Sequence, residues 1–401
     1  MSAGTAALTG PLHGLVALEI SDTPAAAFAA VLAADFGAEV IVCEPPPSGS
    51  NLRRLGTPDV QRVWWPVIAR NKLSLGIDLA HPEAAPILEQ MAGFADLLFR
   101  DDQPLAARSA RDLVNEGRLL DVHLYPPGTD RPDLWPWSTE PEFAAAATGM
   151  MALTGDLDGP AVQPEMPLAD YAAGMMALTL AMAELRASRH EDRSPRPVEL
   201  ALHEALHRMN EWHIVVATGL GRAEKRNGNR FPMNANIGNI FKTRDGKLLT
   251  VSAATPSVAD RLLNMIGGKE LRDDPRFNTP AARRANMDAL DAVVAEWLLE
   301  HDMDEAMRLV RENDVVVGPI SDARDLASHA HIMGRGDIAR SSGDGEGALT
   351  MPSALPFVTP VGGHVRHPGP VAGADTERVM KMLGFKDEET ANLRSAGVIW
   401  S

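Results

Sequence analysis

One cysteine, Cys43, stands in 401 residues. A lone thiol excludes an intrachain disulfide and a cysteine-rich zinc site, and nothing in the chain calls for an oxidising compartment. Cations are also scarce, with 38 Lys and Arg against 54 Asp and Glu and a formal charge of −16. That balance repels phosphate backbones and anionic lipid alike, because affinity for both rests on Lys and Arg. Neither nucleic acid nor membrane is an expected partner. No basic residue precedes an apolar run at the N-terminus, and the Ala-rich residues 24–34 fall short of the ~20 that a bilayer span needs. The expectation is a cytoplasmic chain without signal peptide or anchor.

What is present is enough apolar sequence for a large core. Single cores rarely grow beyond about 250 residues, so two or three structural units are expected. Residues 15–20 read as a buried strand, followed by possible helix caps at Ser21, Asp22 and Thr23, with Pro24 suited to a first turn. An Ala-rich helix then runs to about Gly37, and residues 39–43 (EVIVC) read as the next strand. Strand, helix and strand at this spacing make a right-handed parallel crossover. Strand-like runs at 95–99, 119–124 and 198–202, separated by helix-length segments such as 82–93, extend this to an α/β fold with a doubly wound parallel sheet. After Arg222 the texture changes. A Gly- and Asn-rich stretch leads to a hairpin over 240–252 around Asp245-Gly246, then to helical patterns at 257–266, 286–300 and 304–313. The expected division is a large domain of residues 1–220 completed by 330–401, with a smaller α+β domain at 225–325. Residues 343–347 (GDGEG) read as a turn.

Two motifs bear on chemistry. His203, Glu204 and His207 spell H-E-x-x-H, and His213 falls where an extended zinc-hydrolase motif has its third ligand. That motif needs a sharp turn at Asn210, where glycine is the usual solution. If the helix instead runs on through Trp212, His213 lies about 15 Å from His203 along the axis, too far for one zinc ion. The motif is therefore read as structural, on a helix that continues past Asn210, and no metal is expected. Asp170, in PLADYAAGM, precedes apolar positions Tyr171, Gly174, Met175, Leu178, Met182 and Leu185 at helical spacing. Its carboxylate sits at or near a helix N-terminus, where free amides and the dipole stabilise an anion. Position alone favours an ordinary N-cap.

Ordered landmarks along nearly the whole chain add a second argument: GPLHGLVALEI from Gly10, FGAEVI from Phe36, EPP from Glu44 and N-K-x-S-L-x-x-D-L from Asn71. TGMMALTG from Thr148, PLADYAAGM, Gly228-Asn229 with T-x-D-G from Thr243, DDPRFNT from Asp273 and HPGPVAGADTERV from His367 complete the series. In that order they resemble the class III CoA-transferases (CaiB/BaiF type), whose members include formyl-CoA and carnitine CoA-transferases and α-methylacyl-CoA racemases.

The resemblance implies an interlocked homodimer and an acyl-CoA:carboxylate CoA-transferase, with a coenzyme A thioester as substrate, a carboxylic acid as partner and no permanently bound cofactor. It makes Asp170, four residues before Gly174, the nucleophile, and aligns Glu142 with an acidic position that orients it. A carboxylate suits this task because a thioester expels a thiolate, a good leaving group. CoA phosphates in so acidic a protein need local cations, for which Arg53, Arg54, Arg70, Lys72, Arg100 and Arg108 in the N-terminal third are the candidates. Lys72 leads them, beside Asn71, in the family's N-K-x-S landmark. The chain departs from the family at Ala26 and Ala27, at Asp101 and Asp102, and over Tyr125 to Asp130, which leaves open a diverged acyl-CoA-binding member without catalysis. Glu140-Pro141 stands where racemases carry a His-Asp pair, so racemisation is the weaker enzymatic alternative; zinc hydrolysis is the remaining one.

Overall fold

The computed structural model describes residues 10–101, 119–125, 132–134, 142–230, 237–341 and 348–401. The chain forms two compact units. The first takes in Met1–Met151, Gln163–Arg222 and Ala330–Ser401, the second Ala152–Val162 and Ala223–His329. Segment Ala152–Val162 carries no periodic signal that would assign it. It belongs to the second unit, where the Arg226 guanidinium donates to the carbonyls of Ala152 (3.0 Å) and Gly159 (2.8 Å).

The first unit is built on a mixed seven-stranded sheet. Strands β1 (Val16–Ile20), β2 (Glu39–Glu44), β3 (Lys72–Ile77), β4 (Leu97–Arg100), β5 (Leu120–Tyr125) and β6 (Val198–Ala201) are parallel in the order 3-2-1-4-5-6. The terminal strand Ile399–Trp400 closes the β3 edge antiparallel. Helices cover both faces, as parallel strands require. One face carries α1 (Pro24–Asp35) and α4 (Leu168–Glu191) over Val40, Leu97, Phe99, Val122 and Leu124. The other packs α3 (Ala85–Phe94) and the helix Thr376–Met382 onto Leu18, Ile41, Leu73, Leu75 and Leu98. Between β2 and β3 runs α2 (Pro58–Ile68).

Neither α2 nor β3 was apparent from sequence. All of β3 is buried, yet its period-two alternation sets Lys72 and Ser74 against Leu73 and Leu75, so it lacks the apolar run that marks a central parallel strand. Polar partners explain the burial. Lys72 Nζ lies 2.6 Å from Glu19 Oε2 and donates to the Ala27 carbonyl at 2.9 Å, with both ionic side chains 1% exposed. Burial pushes Glu19 up and Lys72 down from their ordinary values, against the pull of each on the other. The expected capping after β1 also differs. Thr23 is the N-cap of α1 with no side-chain cap bond, while the Asp22 carboxylate accepts from Ser50 Oγ and the Asn51 backbone N–H, both at 2.8 Å.

In the second unit β7 (Ile237–Lys242) and β8 (Leu248–Ala253) form the expected hairpin, with Gly246 at φ 81° in its turn. The added strand β9 (Val317–Pro319) pairs with β8. Helices Pro256–Arg272, Met287–Leu299 and Met303–Glu312 supply the core with Leu262, Leu290, Val294, Leu298 and Val310. The first of them kinks at Gly267 and Gly268, where its helical pattern stops. The turn expected at 343–347 lies outside the described residues.

Breaking the Glu19–Lys72 pair strands a buried charge, which costs about 3–5 kcal/mol, whereas replacing both charges by apolar side chains of similar volume is often neutral. Lys72→Met should therefore lower unfolding stability in urea by about 3–5 kcal/mol, and Glu19→Met in the same chain should recover most of the loss. Equal stability of Lys72→Met and wild type would contradict this account.

Candidate active site

Helix α4 begins at Leu168 after Pro167, so Asp170 is its third residue and not its N-cap. It is 2% exposed and lies at the floor of a cavity of about 290 Å³, whose walls include Leu55, Val60, Trp64, Ala145, Met150 and Met166. The first turn of a helix presents backbone N–H groups with no intrahelical acceptor, equivalent to roughly half a positive charge. Asp170 is the acidic residue of that turn.

What holds it there is a seam of small side chains. Ala25, Ala26, Ala29, Ala30 and Ala33 of α1 and Ala172, Ala173, Ala177 and Ala181 of α4 share one core with at most 1% exposure each. At Gly174 a Cβ would fall 2.7 Å from the Ala25 carbonyl oxygen and 3.1 Å from Ala29 N, a separation that only glycine allows. Gly174 of the PLADYAAGM segment is thus a packing residue. Tyr171, next to the carboxylate, stacks on Phe28 with ring centroids 4.3 Å apart and lies parallel to Trp64 at 6.3 Å. Burial, helped by the charge of Asp170, pushes its phenol up to about 12, so it stays protonated at neutral pH. Helix α4 is also the described helix long and apolar enough to cross a bilayer; here its small residues pack on α1 and the sheet.

Glu142 opens the short helix Glu142–Ala147, whose Ala145 borders the same cavity. The candidate phosphate contacts are not gathered there. Lys72 is committed to Glu19 beneath the sheet surface. Arg70 donates three hydrogen bonds to Asp35, two from Nε at 3.0 and 3.1 Å and one from Nη2, and burial pushes Asp35 up despite them. The Asn71 backbone is left-handed at φ 65°, and its amide donates to Asp35 Oδ1 and the His364 carbonyl at 2.7 Å while accepting from Arg366 N. Arg100 pairs with Asp121 at 2.8 Å, and Arg53 pairs with Glu44 at 2.6 Å while covering the Trp65 ring. The side chains of Lys72, Asn71, Arg70 and Arg100, expected at CoA phosphates, are thus engaged with internal partners. Arg54 keeps an exposed position; Arg108 lies outside the described residues.

The family departures have structural counterparts. Ala26 and Ala27 are buried in α1, and the Asp101 carboxylate accepts from Asp22 N at 2.7 Å, tying the ends of β4 and β1. Asp102, Glu140-Pro141 and residues 126–130 lie outside the described residues, and Tyr125 ends β5.

The H-E-x-x-H string occupies α5 (Leu202–Met209). Contrary to expectation the helix does not continue: Asn210, at φ −90° and ψ 12°, ends it, and α6 (Glu211–Leu220) starts afresh. Asn210 earns this position by donating its side-chain amide to the Thr148 carbonyl at 3.0 Å, which joins the corner to the TGMM turn beside the cavity. Glu204 accepts from Ala201 N at 2.8 Å as an N-terminal cap. Among the described residues no group of three or more His, Cys, Asp or Glu is placed to hold a metal ion.

Sequence profiles of known families give one correspondence, described as CoA-transferase family III, over residues 12–111 and 136–376. The chain is 28% identical to a succinyl-CoA–D-citramalate CoA-transferase of Chloroflexus aurantiacus, over 97% of this chain and 98% of the relative. It is 29% identical to the beta subunit of a succinyl-CoA–L-malate CoA-transferase of the same organism, over 98% of each. The crystal structure of a CAIB/BAIF family protein from Brucella suis shares the fold with a TM-score of 0.82 at 20% identity, over 94% of this chain and all of that one.

Adding a side chain at the seam forces α1 and α4 apart, and overpacking of this kind typically costs about 1–3 kcal/mol. Gly174→Val should lose at least that in a urea titration and lose activity out of proportion to its folded fraction, because α4 carries Asp170. Gly219→Ala, where a Cβ meets nothing within 4 Å, is the control and should gain about 0.5–1 kcal/mol. A Gly174→Val protein as stable and active as wild type would mean that the helices do not meet as described.

Proposed function

The chain belongs to CoA-transferase family III, and from that premise we propose that it transfers CoA between an acyl-CoA and a carboxylic acid through a covalent intermediate on Asp170. The observation that carries this reading is the buried carboxylate in the first turn of α4, at the floor of a cavity with apolar walls. The Asp170 carboxylate attacks the thioester carbonyl, the C–S bond breaks, and CoA thiolate leaves an acyl-aspartyl mixed anhydride. The thiolate then attacks the aspartyl carbonyl, releasing the first acid as a carboxylate and forming an aspartyl-CoA thioester. A second carboxylate attacks this thioester, and the returning thiolate takes the new acyl group, restoring Asp170. Each step exchanges one acyl bond for another, so no ATP is consumed. The tetrahedral centres need hydrogen-bond donors, a role for which backbone N–H groups of the α4 first turn are the candidates.

We also propose a homodimer. Met209, Trp212, Val215 and Leu220 around α6 are 52–65% exposed, an apolar surface of the kind that marks interfaces. Light scattering at micromolar concentration should give twice the chain mass. A monomer would refute the dimer, and the beta-subunit name of one relative makes pairing with an unlike chain the alternative.

Mixing the protein with a donor acyl-CoA should leave an adduct on the peptide containing Asp170 that hydroxylamine removes, as seen by mass spectrometry. Asp170→Asn removes the nucleophile at constant size and should abolish transfer, at least 10³-fold in order of magnitude, while CoA binding persists. Transfer at near wild-type rate by the Asn variant, with its amide intact, would exclude the mechanism. Binding of acyl-CoA without adduct or transfer would identify a non-catalytic member.

A further inference from the structure

The cavity over Asp170 has a chemical bias that the family assignment does not supply. Its described walls are apolar at Leu55, Val60, Trp64, Met150 and Met166, and the ionisable residues among them, Asp170 and Glu165, are both acidic. Arg53, Arg54 and Arg62 stand close in sequence, but none of them is among the cavity's described lining residues. Arg54 donates to Ser48 and Asn51, Arg62 to Asp59 and Arg53 to Glu44. Leu55, Val60 and Met166 are 42–61% exposed, so apolar area at the mouth is available to be covered.

Resting on the transfer reading above, we propose that the acyl groups exchanged at Asp170 are short and uncharged, monocarboxylic acids with an aliphatic tail rather than half-thioesters of dicarboxylic acids. A second carboxylate passing beyond the exposed mouth would give up its hydration beside the buried Asp170 carboxylate, with no cation among the described lining residues to pair with it, and such burial is strongly disfavoured. An aliphatic tail meets Leu55, Val60 and Met166 and gains from each methylene it covers. A cavity of about 290 Å³ lies at the small end of ligand sites, which suits a tail of a few carbons.

The test is the ratio of kcat/KM for butyryl-CoA and isovaleryl-CoA against succinyl-CoA and glutaryl-CoA, each with its matching free acid as acceptor. The monocarboxylyl donors should lead by about 100-fold, the scale on which a pocket separates substrates differing in one group. Val60→Arg, on the exposed wall, should shrink that lead at least about tenfold by supplying the missing cation. Dicarboxylyl donors that equal or outpace the others in wild type would overturn the inference while leaving the transfer reading intact. If no donor is transferred, the transfer reading fails, and Kd values of butyryl-CoA and succinyl-CoA for the Asp170→Asn protein decide the pocket's preference. Tighter succinyl-CoA binding there would also overturn it. A Val60→Arg protein with an unchanged ratio but an altered sedimentation coefficient would show the cavity mouth to be a contact between chains, and the inference would be wrong.

Discussion

The approach of α1 to α4 at Gly174 is the constraint on which the site depends. Alanine is the best helix former and carries almost no side-chain entropy, so an Ala-rich helix is rigid and can lie against another with backbones nearly touching. Each Ala buries little area, and the seam's stability comes from many close atomic contacts rather than from large apolar groups. The result is a fixed distance. Because a Cβ on Gly174 would fall 2.7 Å from the Ala25 carbonyl oxygen, the axial position of α4 is set to within a fraction of a side chain, and with it the place of Asp170 one turn earlier. The same contact fixes Tyr171 against Phe28.

The polar residues of β3 do for the sheet what the seam does for the helices. A slip of one residue would turn Lys72 and Ser74 onto the face packed by α3 and bury both among aliphatic side chains. Ser74 Oγ donates to Glu44 Oε1 at 2.6 Å and accepts from Gly373 N at 2.7 Å, while Ser74 N donates to Asp375. Asn71 holds His364 and Arg366 in the same way. The strand thereby registers itself against β1 and β2 and straps down the C-terminal segment that returns from the second unit. The cationic landmark that reads in an acidic chain as a phosphate site also carries these internal bonds.

Such internal bonds mark the limit of what the sequence reveals. Elements with one dominant apolar period were legible: β1, β2, the Ala-rich α1 and the hairpin of β7 and β8 fall within a few residues of their expected ends. The parallel sheet followed from their alternation. Strand β3 was missed because its buried polar positions are satisfied only by residues far away in sequence, such as Glu19 and Asp375. At the site, Asp170 and the start of its helix were legible, since Pro167 and the spacing of apolar residues are local signals. The cavity walls were not. Leu55, Val60 and Trp64 come from the unrecognised α2 and the residues before it, and no local pattern reveals that they face Asp170. Asn210 is an intermediate case, its departure from helix predictable as a possibility but fixed by its bond to Thr148.

Burial of Asp170 also bears on the survival of the proposed anhydride. A carboxylate buried to 2% exposure loses hydration that a surface aspartate keeps, and the helix terminus replaces part of it with oriented N–H groups that need no reorganisation during the reaction. Water is the competitor at every stage, because it would convert either the anhydride or the aspartyl thioester to free acid and waste the thioester. Burial of the carboxylate and the apolar residues beside it would limit that reaction by reducing the access of water to the carbonyl. On the proposals above, the same burial that would protect an intermediate on Asp170 also disfavours a second charge close to it.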